Sequence, residues 1–524
     1  MRPPMKLGKH EEDPISKDRL DRISNLPDEL LGHLLSFLPT RSAVRTSTVS
    51  TRWRYLFTLT SSLSFDDASC FSLPGRNEVV EATRKFKLFV DKVLELHQIS
   101  PINKFTLLCK CTYDNSNLNR WINVAVQKGV QELHYKFLDQ GDYCLPEVSF
   151  MCETLVSLTI SSFHNLFQTP PSVSLPILKI LNLDRIIFTD FNSMERLFYS
   201  CESLEELTLE CCGCDAHGHA IYRTGILKVL AVERCSFRLG TFEIDAPNLA
   251  YLTYSSNFGV KIVPSWKYSC SFIQAELSFK CYTYDDYDAS EDSVEYDREL
   301  LKAAAYKAIK LSFEMDSQMT LHTLGGDELM PYFHSLSRLR LSDCPYDSWK
   351  YVTSLIDKSP QLETVIFGSG FHCCQCSSGH YYPDRCACNY QSPSDIPLEA
   401  LVPFSCHAQV IEVRNFCGHK NSLSLMGHLL RNASVLKRLV VFTICHFNPN
   451  PEEELKIIND LLMLPRASLD CCLEINKVVV PSFHCMSYVE VPLCRSSSVV
   501  RNLVRKGVTD AISLILMDME WSET

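Results

Sequence analysis

Apolar residues return along this chain in one spacing, with large apolar side chains at the first, fourth and sixth positions of a hexapeptide. The series reads Leu155-x-x-Leu158-x-Ile160, Leu178-x-x-Leu181-x-Leu183, Leu204-x-x-Leu207-x-Leu209, Leu227-x-x-Leu230-x-Val232 and Leu249-x-x-Leu252-x-Tyr254. The first leucines, at 155, 178, 204, 227 and 249, stand 23, 26, 23 and 22 residues apart. Further copies are Leu336-x-x-Leu339-x-Leu341 and Leu362-x-x-Val365-x-Phe367, and weaker ones start at Ile102, Val130, Ala408 and Leu436. Alternation over so short a run predicts a strand with its leucines turned inward. No such strand buries that face alone, so neighbours must stack into an irregular α/β solenoid. Between copies, "SMERLFYSCES" (193–203) predicts a helical or irregular return. Cysteines close several copies: Cys211 follows Leu209, Cys235 follows Val232 and Cys344 follows Leu341.

The same alternation assigns the outward positions. Glu206, Thr208, Glu210 and Glu233 face out in the middle copies, and Arg338 and Arg340 in the copy at 336. The expected outer face is acidic in the centre and basic towards the C-terminal half. These six are candidate substrate-binding residues, and ordinary solvated strand faces would carry the same charges.

The period changes in the opening segment, "DRISNLPDELLGHLLSFLPTRSAVRTSTVSTRWRYLF" (21–57). Pro27 suits a first helical turn, followed by Asp28 and Glu29 at the positive end of the helix dipole. Leu30, Leu31, Leu34, Leu35 and Leu38 recur at helical spacing, and Pro39 ends the run. Thr40 is placed to cap a second short helix carrying Ala43 and Val44, and Ser50 a third carrying Trp53, Leu56 and Phe57. Three short helices cannot bury all these side chains among themselves, so some face a following domain or another protein.

Leu26-Pro27-Asp28-Glu29-Leu30-Leu31, Leu35-Ser36-Phe37-Leu38-Pro39-Thr40 and Val49-Ser50-x-Arg52-Trp53-Arg54 resemble the F-box of plant F-box proteins. The resemblance implies a three-helix unit that binds the Skp-family adaptor of a cullin-based ubiquitin ligase. Carried over position by position, it implies adaptor contacts at Leu26, Pro27, Leu30, Leu35, Leu38, Pro39, Val44, Val49 and Trp53. The period of the body is that of leucine-rich repeats. "LLRNASVLKRLVV" and "LLMLPRASLDCCLEI" resemble the FBD domain found in the same plant proteins. The expected organisation is a polar N-terminus at 1–19, an F-box at 20–66, repeats at 100–395, an FBD region at 396–476 and an unassigned tail at 477–524. In the FBD region the order reads strand, helix (423–432), strand (436–442), helix (452–464), strand.

Charge and composition narrow the function class. Net charge is −11 with a pI of about 5.8, which argues against a general nucleic-acid binder. The N-terminus lacks an apolar core of the signal-peptide kind, and no run is long and apolar enough for a membrane span. Twenty-five cysteines in a long chain without a secretion signal read as free core thiols of a nuclear or cytoplasmic protein.

Two segments break the repeat pattern. Residues 282–299, "YTYDDYDASEDSVEYDRE", read as an acidic, solvated loop or, less simply, a site for a basic partner. Residues 372–388 hold Cys373-x-x-Cys376 and Cys386-x-Cys388, with His372 and His380 in reserve. They read as zinc thiolates or as a cysteine-rich surface insertion. "CCGCDAHGH" (211–219) is a weaker candidate. We expect no cofactor and no metal. No nucleophile elbow, phosphate loop or zinc-protease helix is present. The expected function is therefore that of a non-catalytic substrate receptor. It would join a protein substrate on the repeats to adaptor and cullin through the F-box. Alternatives are a non-degradative F-box scaffold and a ligand-dependent receptor of the hormone-receptor type.

Overall fold

Every copy of the hexapeptide becomes a strand, and the strands run parallel, side by side, in one 16-stranded sheet. The computed structural model describes residue 23 and residues 26–478, apart from 69–75, 98–99, 138–145, 238, 256–258, 264–273, 279–290, 315–329, 343, 346–347, 369–370, 373–402, 417, 419 and 445–450. The polar N-terminus, the tail beyond 478 and the cysteines at 373–388 lie outside the described residues. The main sheet takes β1 (Ser62–Asp66), β2 (Lys104–Cys109), β3 (Glu132–Phe137), β4 (Ser157–Phe167), β5 (Ile180–Phe188) and β6 (Glu206–Glu210) in order. The two-residue β7 (Gly213–Cys214) pairs with β5 off this path. The sheet continues through β9 (Val229–Glu233), β11 (Tyr251–Ser255), β13 (Gln274–Ser278), β14 (Lys310–Glu314), β15 (Arg338–Ser342) and β17 (Thr364–Phe367). It ends with β19 (Val410–Phe416), β20 (Arg438–Ile444) and β21 (Cys472–Val478).

Register explains why the leucines recur. Leu181, Leu207, Leu230 and Leu252 are partners in one inward row, and Leu183, Leu209, Val232 and Tyr254 in the next. None is more than 2 % exposed. Each such side chain contributes about 1.5–3 kcal/mol by leaving water, and only with a neighbour on both sides. Cysteines bind the turns that follow. The Cys212 thiol lies 3.3 Å from the carbonyl oxygen of Leu183, one repeat back, and Cys235 lies 3.5 Å from that of Leu209. The residue performing this task after β6 is thus Cys212, not Cys211, because the chain bends into a left-handed conformation at Cys211 (φ 52°) and turns the next side chain inward.

Returns differ along the array. Helix α3 (Arg76–Leu96) crosses from β1 to β2 and α4 (Asn115–Gln127) from β2 to β3, while α5 (Phe191–Tyr199) follows β5. The helix expected within 193–203 is therefore present, started by Asp190, whose carboxylate accepts from the Ser193 amide at 2.7 Å. Where repeats shorten, strands replace helices. β8 (Gly218–Arg223), β10 (Gly240–Asp245) and β12 (Val260–Val263) form a second parallel sheet in the order β12-β10-β8. Ala220, Tyr222, Phe242, Ile244, Val260 and Ile262 are buried at period two, a pattern masked in sequence by the stronger leucine spacing. Gly240 permits this layering, since a Cβ there would meet the Gly218 carbonyl oxygen at 2.2 Å.

Helix α6 (Glu291–Lys307) revises the acidic-loop expectation for 291–299; residues 282–290 lie outside the described residues. Net charge obscured a helical face: Tyr296, Asp297, Leu300, Leu301 and Ala304 stand at helical spacing, and Leu300, Leu301 and Ala304 are fully buried. The Tyr254 hydroxyl reaches the Asp297 carboxylate at 3.3 Å. The Tyr296 hydroxyl accepts from the Ile262 amide and donates to its carbonyl oxygen, at 3.1 Å for the second bond. On β8 the Ile221 amide donates to Glu195 at 3.0 Å, and its carbonyl oxygen accepts from Tyr199 at 2.8 Å. Side chains from helices thus satisfy backbone groups on both outer strands of the small sheet.

Downstream come β16 (Cys344–Pro345), α7 (Trp349–Asp357), β18 (Phe371–His372), α8 (Lys420–Asn432) and α9 (Pro451–Leu462). β16 pairs with β18. The strand-helix-strand-helix-strand order read for 397–475 is present in β19, α8, β20, α9 and β21.

The N-terminal helices join this sheet without an intervening linker. α1 (Asp28–Leu35), α2 (Thr40–Arg45) and 3-10 turns at Thr46–Thr48 and Trp53–Leu59 precede β1. The array therefore starts at residue 62, within the segment read as F-box and well before residue 100. β1 lacks the leading leucine of the hexapeptide, which hid it. Thr40 does not cap α2 with its side chain; its hydroxyl accepts from the Ser64 amide in β1 at 2.6 Å. Ser36 accepts from the Ser61 amide at 3.0 Å. A Cβ on Gly32 would stand 2.7 Å from that of Leu59, so glycine lets α1 approach the last turn. The buried His97 closes the joint, with Nε2 2.7 Å from the Thr60 carbonyl oxygen and Nδ1 without a partner among the described residues.

Two predictions follow from these contacts. Tyr296→Phe should cost about 1–3 kcal/mol, read by denaturant unfolding, and speed exchange of the Ile262 amide. Burial holds the His97 imidazole below its usual 6.5, so folding favours its neutral form. That contribution is complete above the unfolded value and is lost as the pH falls from there through the folded value. Melting temperature should drop less on acidification in His97→Gln than in the wild type; equal slopes would remove His97 from the account.

Candidate functional site

Helix α1 has two apolar faces with different fates. Leu31 and Leu35 are an i, i+4 pair that packs inward, 0 % and 4 % exposed. Leu30, Leu34 and Phe37 follow the other stripe, and they are 51 %, 45 % and 50 % exposed. The His33 ring meets Phe37 edge-on with centroids 5.1 Å apart. Val49 and Tyr55 on the following turns are also largely exposed. Arg52 clasps the start of α1, its Nε and Nη2 reaching Asp28 Oδ1 at 3.0 and 2.7 Å and its guanidinium also bonding the Leu26 carbonyl oxygen. An exposed ion pair of this kind is worth about 0–1 kcal/mol, but it fixes how the Leu-Pro step enters the helix.

The candidate adaptor contacts divide accordingly. Pro27, Leu30, Pro39 and Val49 are exposed. Leu26, Leu38, Val44 and Trp53 are half-buried and lean on the core. Leu35, 4 % exposed, belongs to the interior of the unit. Leu34 and Phe37 take its place on the open face. Their signal was present in the spacing, since residues 30, 34 and 37 share one helical stripe whereas 30 and 35 do not.

The substrate-face candidates occupy three outward rows of the main sheet. Thr208 lies in the middle row between Asn182 and Ala231, among small side chains, and Asn182 Nδ2 donates to Thr159 Oγ1 at 3.1 Å. Glu206 lies in the first row and is half-buried. Asp184, Glu210 and Glu233 are register partners in the last row. Cations already answer two of these acids. Lys136 Nζ and Arg185 Nε approach the Asp184 carboxylate at 3.8 and 3.5 Å, Ser161 donates to it at 2.5 Å, and Arg234 pairs with Glu210. Glu210, its side chain 13 % exposed, is thus a member of an ion-pair lattice and not an available contact. Arg185, Cys211 and Arg234, each just after the acidic position, share a left-handed backbone (φ 57°, 52° and 54°). The repeated turn brings these side chains back over the row.

Ligand atoms of Asp184, Glu210 and Cys211 lie within 4.8 Å of one another. The cations noted above supply the compensating charge, and burial raises the Cys211 thiol, which disfavours its thiolate. The group reads as structural. On the return side, Glu147, Gln168, Thr169, Pro170, Pro171 and Arg196 line a cleft of about 450 Å³. Its guanidinium is engaged by the Thr169 carbonyl oxygen and the Ser193 hydroxyl, at 3.3 and 3.1 Å. Arg338 is exposed in the first outward row of β15, and Arg340 is half-buried in the middle row. Among the described residues no helix is long and apolar enough to cross a membrane.

Comparison with known proteins matches this division of the chain. The F-box domain model matches residues 23–64. A second model, described as the LRR repeats of the FBD-associated F-box protein At5g56370, matches residues 118–275. The putative F-box/LRR-repeat protein At3g58880 of Arabidopsis thaliana is 32 % identical over 437 residues, covering 81 % of this chain and 92 % of that protein. The F-box/LRR-repeat protein At2g42730 of the same plant is 29 % identical over 468 residues, covering 87 % and 98 %. With an open apolar helix face at one end, a leucine-stacked parallel sheet behind it and relatives matched over nearly their whole length, the chain belongs to the plant F-box/leucine-rich-repeat protein family.

Proposed function

We propose that this protein is the substrate-recognition subunit of an SCF-type ubiquitin ligase. The F-box binds a Skp-family adaptor and, through it, a cullin. The outer face of the repeat sheet holds a protein substrate. The observation that carries this reading is the exposed stripe of Leu30, Leu34 and Phe37 on α1 and the turn that follows it, while the opposite face of the helix is buried against the 3-10 turn Trp53–Leu59. An exposed apolar stripe of this kind suits a protein partner, and central apolar anchors supply most of an interface's energy. The protein itself carries out no covalent step. It holds a substrate lysine near the charged conjugating enzyme, which raises the effective concentration of one reactant at the other. Residues 396–476 are read as an FBD region that extends the sheet, and the protein as one that works in the nucleus, the cytoplasm or both.

A pull-down with Skp-family adaptors tests the proposal. Wild type should capture adaptor and cullin, and Leu30→Asp/Phe37→Asp should lose capture at least tenfold with its melting temperature unchanged. Leu35→Ala should behave oppositely, losing about 2–5 kcal/mol of stability as a core truncation. Absence of adaptor from the wild-type capture would overturn the ligase reading.

A further inference from the structure

The outer face of the sheet changes character after β13. Before it, the middle row is built of small neutral side chains such as Thr159, Asn182, Thr208 and Thr253. After it, arginines and apolar side chains share the face. Ile366 and Val440 are 2 % and 9 % exposed, yet register sets them in the outward rows, apart from the leucine core. Their register neighbours are Arg340, Glu412 and Glu474, side chains with apolar stems and charged tips. The Arg414 guanidinium lies over the Phe442 ring, 5.8 Å from its centroid. Arginine around an apolar centre is the composition of an interface anchor.

Charge on this face is unbalanced at one place. Lys310 in β14 and Arg338 in β15 are direct register partners, both exposed, and neither side chain has an ion-pair or hydrogen-bond partner among the described residues. Like charges directly opposite across strands destabilise a sheet. Other cations on the face are matched: Lys104 with Glu132 at 2.6 Å, Arg414 with Glu412 at 2.5 Å and Arg438 with Glu474 at 2.9 Å. The Lys310–Arg338 pair departs from these three, and it stands beside Arg340 and Ile366.

We propose that the outer face of β14–β20 docks an acidic polypeptide segment that carries a large apolar side chain. Carboxylates of the segment relieve the Lys310–Arg338 repulsion, and its apolar side chain packs against the partly exposed Phe442 ring and the apolar stem of Arg340, Ile366 and Val440 being themselves buried. This deepens the substrate-receptor reading by naming the chemistry of the substrate segment.

Fluorescence anisotropy of the full chain with the labelled octapeptide EDELEFDE, and with KRKLKFRK as its charge reverse, tests the assignment. The acidic peptide should bind the wild type, weaken with added salt, and weaken at least tenfold on Lys310→Glu/Arg338→Glu. Lys310→Gln/Arg338→Gln should fall between, with melting temperature kept in both variants. Equal binding of the two peptides, no binding at millimolar concentration, or full binding by the charge-reversed variant would overturn the proposal. So would binding that develops only after Asp285, Asp286 and Asp288 are changed to Asn, since the occupant would then be the chain's own acidic stretch. Leu30→Asp/Phe37→Asp should leave peptide binding intact, so failure of adaptor capture and failure of this assignment are separate results.

Discussion

Everything in this molecule depends on two inward rows of apolar side chains that no single strand can bury. Leu207 is dry because Leu181 and Leu230 flank it in register. Parallel pairing keeps those rows aligned, and the thiols of Cys212 and Cys235 bind carbonyls of the preceding repeat, so each repeat is tied to the one before. What crosses behind is free to vary. A helix serves where 26 residues separate the leucines at 178 and 204, and a strand serves over the shorter steps that follow. Uneven repeats therefore share one even sheet.

The helical unit at the start obeys the same constraint from the other side. One stripe of α1 is spent on the interior through Leu31 and Leu35. The hydroxyls of Ser36 and Thr40 are spent on the backbone entering and within β1. The stripe that is left, Leu30, Leu34 and Phe37, stays exposed among the described residues. Its availability for another protein results from how thoroughly the rest of the unit is committed.

Much of this is legible in the amino-acid sequence. Seven strong hexapeptides and four weak ones all led into strands, because the leucine spacing is itself the burial pattern. β1, β13 and β14 do not show in the leucine spacing, since threonine, alanine or phenylalanine stands at positions where the other copies carry leucine. The helix at 291–307 was hidden by its charge, although its buried stripe is regular. In the F-box, residue types point to the segment, while the side of the helix each leucine takes depends on geometry: Leu35 is buried and Leu34 exposed because of a single 100° step. The acidic row showed the reverse failing. Glu210 was correctly placed on the outer face, but its partner Arg234 sits 24 residues away, and no local pattern announces such a pair.

The fusion of the helical unit to β1 makes the sheet a ruler. Counted along the strand order, β15 is the tenth strand beyond β1, and at the usual inter-strand spacing that is about 48 Å of continuous hydrogen-bonded backbone. There is no hinge of free chain between the open face of α1 and the first rung. Whatever the distal strands hold is therefore carried at a set reach and a set angle from whatever grips the helix. Insertion or loss of one repeat would alter that reach by about one rung, 4.8 Å, and also rotate the load through the sheet's twist. Repeat number is thus a positional setting as well as a measure of surface area.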